Sequence, residues 1–122
     1  MTIHRIAKVG HRGAAGHAPE NTISGLERGI ELDADFIEID VQRTSDGHLV
    51  LMHDKSVDPT TNGTGTLCEM SLEELRHLDA GNGQQVPLLE EALTVMGARA
   101  GITIECITPG IGAQVYREVR EF

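Results

Sequence analysis

Two carboxylates set two residues apart, Glu38 and Asp40, are the first groups in this sequence able to do chemistry. They lie in Phe36-Ile37-Glu38-Ile39-Asp40-Val41, where apolar and acidic residues alternate with the period of a β-strand. Both acidic side chains then leave one face, and Ile37, Ile39 and Val41 leave the other. Side by side they repel unless something positive lies between them. A hard divalent cation such as Mg2+ or Ca2+, which prefers oxygen ligands, suits the pair. Taken alone, Glu-x-Asp reads as a strand with one solvated face. Glu105 changes the balance, because it sits in a later strand-like run among Ile102, Ile104 and Ile107. A carboxylate in such a run is costly without a partner. From a neighbouring strand it would complete a three-carboxylate site; its alternative is a surface position on an edge strand.

His11 and His53 each follow an apolar run at the point where a loop begins. In α/β folds that end of the strands holds the active site. Two histidines there would serve as acid and base near neutral pH, although either one alone describes an ordinary loop residue. Arg12, beside His11, offers a planar fork of donors to a phosphate, and Gly13 lets the backbone approach closely. Taken singly, Arg12 reads as a solvent-exposed arginine. Glu20 and Asn21 would orient His11 and Arg12 by hydrogen bonds, or cap the helix that follows, or both. His4, His17, His48 and His77 receive no role.

These groups must be positioned by the elements between them. Arg5 to Gly10 reads as a strand running into the Gly-rich loop His11 to Gly16. Asn21 or Thr22 caps a helix over Ile23 to Leu32, with Ile23, Leu26 and Ile30 on one face. Gly25 and Gly29 weaken that helix and make sense only if it lies close against another element. The acidic strand follows, then a second apolar run from His48 to Met52, then a loop from Asp58 to Thr66. Ser71 and Glu74 form a capping box, with Met70 and Leu75 placed as a hydrophobic staple, and Gly81 ends that helix. Pro87 opens a helix buried through Leu89, Ala92, Leu93 and Met96. Ile102 to Ile107 is a third strand, and Pro109-Gly110 turns into an amphipathic segment carrying Val115, Val119 and Phe122. Repeated strand–helix units imply an α/β fold with a parallel sheet covered by helices. The three units form a single piece without repeat or linker, an open sheet of three strands.

Composition narrows the classes of function. With 10 basic and 19 acidic residues the formal charge is −9, which argues against nucleic acid. An anionic substrate would need a metal or a few placed cations. Aromatic residues are only 2%, so Leu, Ile, Val, Ala and Met must build the core. Met1 to Gly10 shows no signal-peptide pattern, and no run is long enough for a membrane span. Cys68 and Cys106 match no zinc spacing. The expectation is a reduced, cytoplasmic protein.

Together the motifs resemble those of the glycerophosphodiester phosphodiesterase family. The resemblance rests on His11-Arg12-Gly13, Pro19-Glu20-Asn21-Thr22, Glu38-x-Asp40 and His53-Asp54, in that order. Thr60-Thr61-Asn62-Gly63-Thr64-Gly65, Pro87-x-Leu89-Glu90-Glu91 and Ile104-Glu105 extend it. It runs from about Lys8 to Glu105, and the order and spacing of the set carry it. The resemblance implies a TIM barrel of about 250 residues, of which residues 1–122 are the N-terminal part, about the first three βα units. It implies hydrolysis of glycerophosphodiesters to sn-glycerol 3-phosphate and an alcohol. By the same motifs His11 and His53 are general acid and base, Glu38, Asp40 and Glu105 hold Mg2+ or Ca2+, Arg12 binds phosphate and Glu20 supports the site. Two positions depart from the pattern: Ile107 stands where the family usually has lysine, and Pro59 where arginine commonly precedes Thr-Thr-Asn-Gly.

Three readings compete. One is a phosphodiesterase site on an incomplete barrel, completed by the C-terminal half or by a second copy in a homo-oligomer. Another is a truncated, inactive relative that binds a divalent ion or a partner. The third is a lysophospholipase D-like enzyme using the same groups on a lipid.

Overall fold

The computed structural model describes residues 5–122. His4 and the first four residues of the stretch Met1 to Gly10 lie outside the described residues. Strand β2 (Phe36–Arg43) is the centre of a four-stranded sheet. One of its edges carries β4 (Gly101–Cys106) in parallel along its length, with Glu38 opposite Thr103 and Asp40 opposite Glu105. The other edge is shared. The short β1 (Val9–Gly10) pairs in parallel with Phe36 and Ile37, and β3 (Leu49–Leu51) pairs antiparallel with Val41 to Arg43.

The sheet therefore departs from the expected one in two ways. It has four strands rather than three, and it is mixed rather than wholly parallel. The run around Leu49 to Leu51 folds back as a hairpin because Thr44 closes the turn: its amide donates to the His48 carbonyl at 2.9 Å, and its hydroxyl accepts from the His48 amide at 2.9 Å. The first strand is also shorter than Arg5 to Gly10, since only Val9 and Gly10 find partners in the ladder.

Helix α1 (Ile23–Glu31) begins at Thr22, whose hydroxyl accepts the Gly25 amide at 3.1 Å. Of the two expected caps, Thr22 is the one used. The two glycines of α1 do face other chain closely: a Cβ on Gly25 would lie 2.7 Å from the Pro19 carbonyl, and one on Gly29 would lie 2.8 Å from that of Gly13. Helix α2 (Leu72–Arg76) starts at Ser71, whose hydroxyl accepts the Glu74 amide at 3.2 Å, and it stops before Gly81. Glu74 meets the Ser71 hydroxyl rather than its amide, so only half of the capping box forms. Helices α3 (Leu89–Met96) and α4 (Gly112–Arg120) complete the set.

Two apolar clusters hold these elements. Ile37, Ile39 and Val41 point from β2 into the first, with Leu26 of α1, Leu89, Ala92, Leu93 and Met96 of α3, and Val115 of α4. The second lies beneath the excursion between β3 and α3, and joins Val50, Met52, Val57, Leu67, Leu75 and Val86. The helices thus cover one face of the sheet. The other face presents Glu38, Asp40, Gln42 and Glu105.

Candidate functional site

The alternation of β2 places Glu38, Asp40 and Gln42 in a row on the uncovered face, and the parallel register brings Glu105 of β4 directly beside Asp40. One carboxylate oxygen from each of Glu38, Asp40 and Glu105 lies within 4.8 Å of the others. Glu105 is exposed, Glu38 is partly buried and Asp40 is fully buried.

The first loop wraps this cluster. Arg12 and Asn21 both adopt left-handed backbone, each with φ of 52°. The Asn21 amide bonds the Arg12 carbonyl at 2.8 Å and ties the two ends of the loop together. The Arg12 amide then donates to Glu38 Oε2 at 3.0 Å, and its guanidinium Nη1 donates to Glu20 Oε2 at 3.0 Å. Arg12 Nε stands 3.6 Å from Asp40 Oδ2. His11, largely exposed, has its Nε2 3.9 Å from Glu38 Oε2.

Asn21 grips Asp40 from both sides. Its Nδ2 donates to Asp40 Oδ2 at 3.0 Å, and its Oδ1 accepts the Asp40 amide at 3.2 Å. The expectation that Asn21 orients His11 or Arg12 through its side chain is replaced by this contact, while its backbone does hold Arg12. Gln42 was not singled out in the sequence. Its Nε2 donates to the carbonyls of Met52 at 2.8 Å and Asp54 at 2.7 Å, one on each side of His53. The signal was present, since Gln42 lies two residues beyond Asp40 and shares its face.

The expected residues fall into two groups. Glu38, Asp40, Glu105, Arg12, Glu20 and His11 are brought together around the sheet face. His53 stands on the loop after β3, with its Nδ1 2.7 Å from Asp54 Oδ1. It reaches the cluster through its electrostatic effect on Asp40, and with Glu20 and Asn21 it lines a small cleft.

The carboxylates share their charge unequally. Burial, the adjacent Asp40 carboxyl and the charges of Asp40 and Glu105 push Glu38 up to about 7, against the opposing pull of the Arg12 amide. For Asp40, burial opposes ionisation, but the neighbouring Glu38 carboxyl, the Asn21 hydrogen bond and the Glu105 carboxyl outweigh it and hold the group below the usual carboxylate range. Two buried atoms among the described residues have no hydrogen-bond partner, Asp40 Oδ1 and Arg12 Nε. A buried oxygen on an ionised carboxylate is expensive to leave without a donor or cation, and Oδ1 belongs to the cluster of three carboxylates. That donor set fits a hard divalent cation.

Comparison with known proteins agrees with the geometry. The family model of the glycerophosphoryl diester phosphodiesterase family matches residues 11–115. A glycerophosphodiester phosphodiesterase of Caldanaerobacter subterraneus subsp. tengcongensis is 40% identical over 127 aligned positions, covering 93% of this chain and 52% of that protein. One from Bacillus subtilis is 42% identical over 120 positions, covering 86% of this chain and 41% of its own length. Among solved structures, a glycerophosphodiester phosphodiesterase from Agrobacterium tumefaciens superposes with a TM-score of 0.89 at 40% identity, over 95% of this chain and 53% of that one. An Oleispira antarctica phosphodiesterase, solved with the product sn-glycerol-3-phosphate, gives 0.85 at 31% identity, over 95% and 51%. The chain spans about half the length of the relatives it matches. The match of residues 11–115 covers most of this sequence, and the chain belongs to the glycerophosphoryl diester phosphodiesterase family.

Proposed function

We propose that the chain forms the first three βα units of a (β/α)8 barrel and carries the cation and phosphate groups of a glycerophosphodiester phosphodiesterase. The observation that carries this is the convergence of Glu38, Asp40 and Glu105 on one sheet face, with Asp40 Oδ1 buried and unpartnered, beside His11 and Arg12 at the end of β1. Glu38, Asp40 and Glu105 would hold the ion. Mg2+ or Ca2+ bound there supplies a positive centre that polarises a phosphoryl oxygen.

The remaining roles fall to the chain's own groups. Arg12, fixed by Glu20, offers its outer N–H groups to a second phosphoryl oxygen. Asp54 holds Nδ1 of the His53 ring and leaves its other nitrogen to take the proton of the attacking oxygen. His11 is then the group that protonates the departing alcohol oxygen as its bond to phosphorus breaks. The products are sn-glycerol 3-phosphate and an alcohol. Among the described residues no helix is long and apolar enough to cross a membrane. The cytoplasmic location expected from the thiols belongs to the same proposal, supported by the free Cys68 and Cys106.

Ile107 favours a second reading, a relative that binds the ion without turnover. Its amide continues the β4 ladder to the Val41 carbonyl at 2.9 Å. It stands two residues beyond Glu105, where the family usually has lysine, and brings no cation to the site. Release of sn-glycerol 3-phosphate from glycerophosphocholine separates the two readings. Chelator-sensitive release is expected for the phosphodiesterase; a folded, ion-loaded chain that releases none is the non-catalytic relative.

A further inference from the structure

We infer that Asn21 is a positioning residue that determines which oxygen of Asp40 faces the cation, presenting Oδ1 alone. The inference rests on the carboxylate cluster being a cation site, and it concerns a residue outside the three carboxylates. Asn21 and Asp40 are both buried, with 4% and 0% of their surface exposed. Their two hydrogen bonds form a closed ring: Asn21 Nδ2 to Asp40 Oδ2 at 3.0 Å, and the Asp40 amide to Asn21 Oδ1 at 3.2 Å. The second bond fixes the orientation of the Asn21 amide, because only its oxygen can accept from the Asp40 N–H. Nδ2 is therefore directed at Oδ2.

Oδ2 also stands 3.6 Å from the cationic Arg12 at Nε, an ion pair without a hydrogen bond. With Oδ2 engaged by Asn21 and Arg12, the lone pairs left open on this carboxylate are those of Oδ1, the buried atom without a partner. A carboxylate free to turn about its last bond could offer either oxygen or both to an ion. Here the Asn21 ring holds it in one setting before any ion arrives, so the ordering cost is met during folding rather than on binding.

The backbone shows how Asn21 comes to be in place. Its φ of 52° is in the left-handed region, which asparagine tolerates better than most residues. In that conformation its amide still bonds the Arg12 carbonyl at 2.8 Å. The same residue therefore closes the loop through its backbone and orients Asp40 through its side chain, and the two tasks can be separated by substitution. Asn21→Gly keeps the φ and the backbone bond but removes the ring. Asn21→Asp keeps the shape, the φ and the acceptor for the Asp40 amide, but sets a carboxylate oxygen against Oδ2.

The test is calorimetric titration of the 122-residue chain with Ca2+ after chelator treatment, on parent, Asn21→Gly and Asn21→Asp proteins confirmed folded by circular dichroism. Outer-shell partners of metal ligands typically change affinity 10- to 100-fold, so a loss of about tenfold or more is expected for either variant. Infrared carboxylate bands on Ca2+ addition should change from the one-oxygen pattern of the parent to a different splitting in Asn21→Gly. A purely structural role would lower stability in chelator yet leave Ca2+ affinity and band splitting as in the parent. That outcome in whichever variant folds overturns the inference while leaving the cation site standing. A parent chain that binds no Ca2+ removes the site itself, and the inference with it.

Discussion

His53 and Glu38 separate two kinds of loss. His53→Ala leaves Glu38, Asp40 and Glu105 untouched, so sn-glycerol 3-phosphate release should fall at least 100-fold, in line with the usual contribution of an acid–base group, while cation affinity stays within about twofold. Wild-type turnover by that variant would refute the acid–base assignment. Glu38→Gln should weaken cation binding and turnover together, since it removes a ligand charge from the cluster. The sequence already showed why these residues belong together: period-two spacing puts Glu38 and Asp40 on one face, and an acid in an apolar strand singles out Glu105. It did not show Asn21 against Asp40. That contact depends on a left-handed backbone at residues 12 and 21, and no residue type in His11 to Asn21 requires it. Gln42 was legible by its spacing, but glutamine on a strand face has many uses, and only the carbonyls flanking His53 give it this one.

At the scale of the elements, α1 bears on the site because it carries the loop that grips Asp40. Its two glycines are the contact points. Gly29→Ala would improve helix propensity by about 1 kcal/mol, yet the added Cβ would meet the Gly13 carbonyl at 2.8 Å and run into the Ile37 side chain. Backbone cannot yield as a flexible side chain does, so the variant should be less stable by about 1–3 kcal/mol, read from urea unfolding. A variant more stable than the parent would show that α1 does not bear on the loop. A second contact ties α2 to α3: Arg76 Nη2 donates to Glu91 Oε2 at 3.2 Å, and its Nη1 bonds Oε1 and the Val86 carbonyl. The Arg76 hydrogen bonds outweigh burial and, with the Leu88 amide, lower Glu91 below its ordinary value. The folded chain therefore binds this proton less readily than the unfolded one. The contribution is complete above the unfolded value near 4.5 and is lost as pH falls through the lowered folded value. Glu91→Gln should flatten the decline in melting temperature below pH 5; an unchanged slope would show that the pair contributes nothing. The sequence revealed the helices through their caps and apolar stripes. It left β3 out of the sheet because a short apolar run carries no mark of direction, which the Thr44 turn decides.

For the molecule as a whole, the sheet face that holds the site is also the face left without helices. Val9 and Phe36 stand on it 58% and 44% exposed, and Tyr116 and Phe122 of the last segment are 65% and 66% exposed. The outer edge of β4 pairs with no strand among the described residues. Unpaired edges and apolar surface of this kind promote association. Sedimentation velocity should show a weight-average mass that rises with concentration; a single monomer boundary at every concentration would contradict this. Two copies would nevertheless bring only six parallel strands, β1, β2 and β4 from each copy, and eight close the barrel. Association alone therefore does not reproduce the relatives' architecture.

The central claim is that Glu38, Asp40 and Glu105 together form one divalent-cation site. It is tested most directly by titrating the chelator-treated chain with Ca2+ and with Mg2+ in a calorimeter, beside Glu105→Gln. That residue is exposed, so its substitution leaves the apolar clusters intact. The account predicts one ion per chain for the parent and an affinity at least tenfold weaker for the variant. Heats no larger than dilution in the parent, or equal binding by Glu105→Gln, would contradict it.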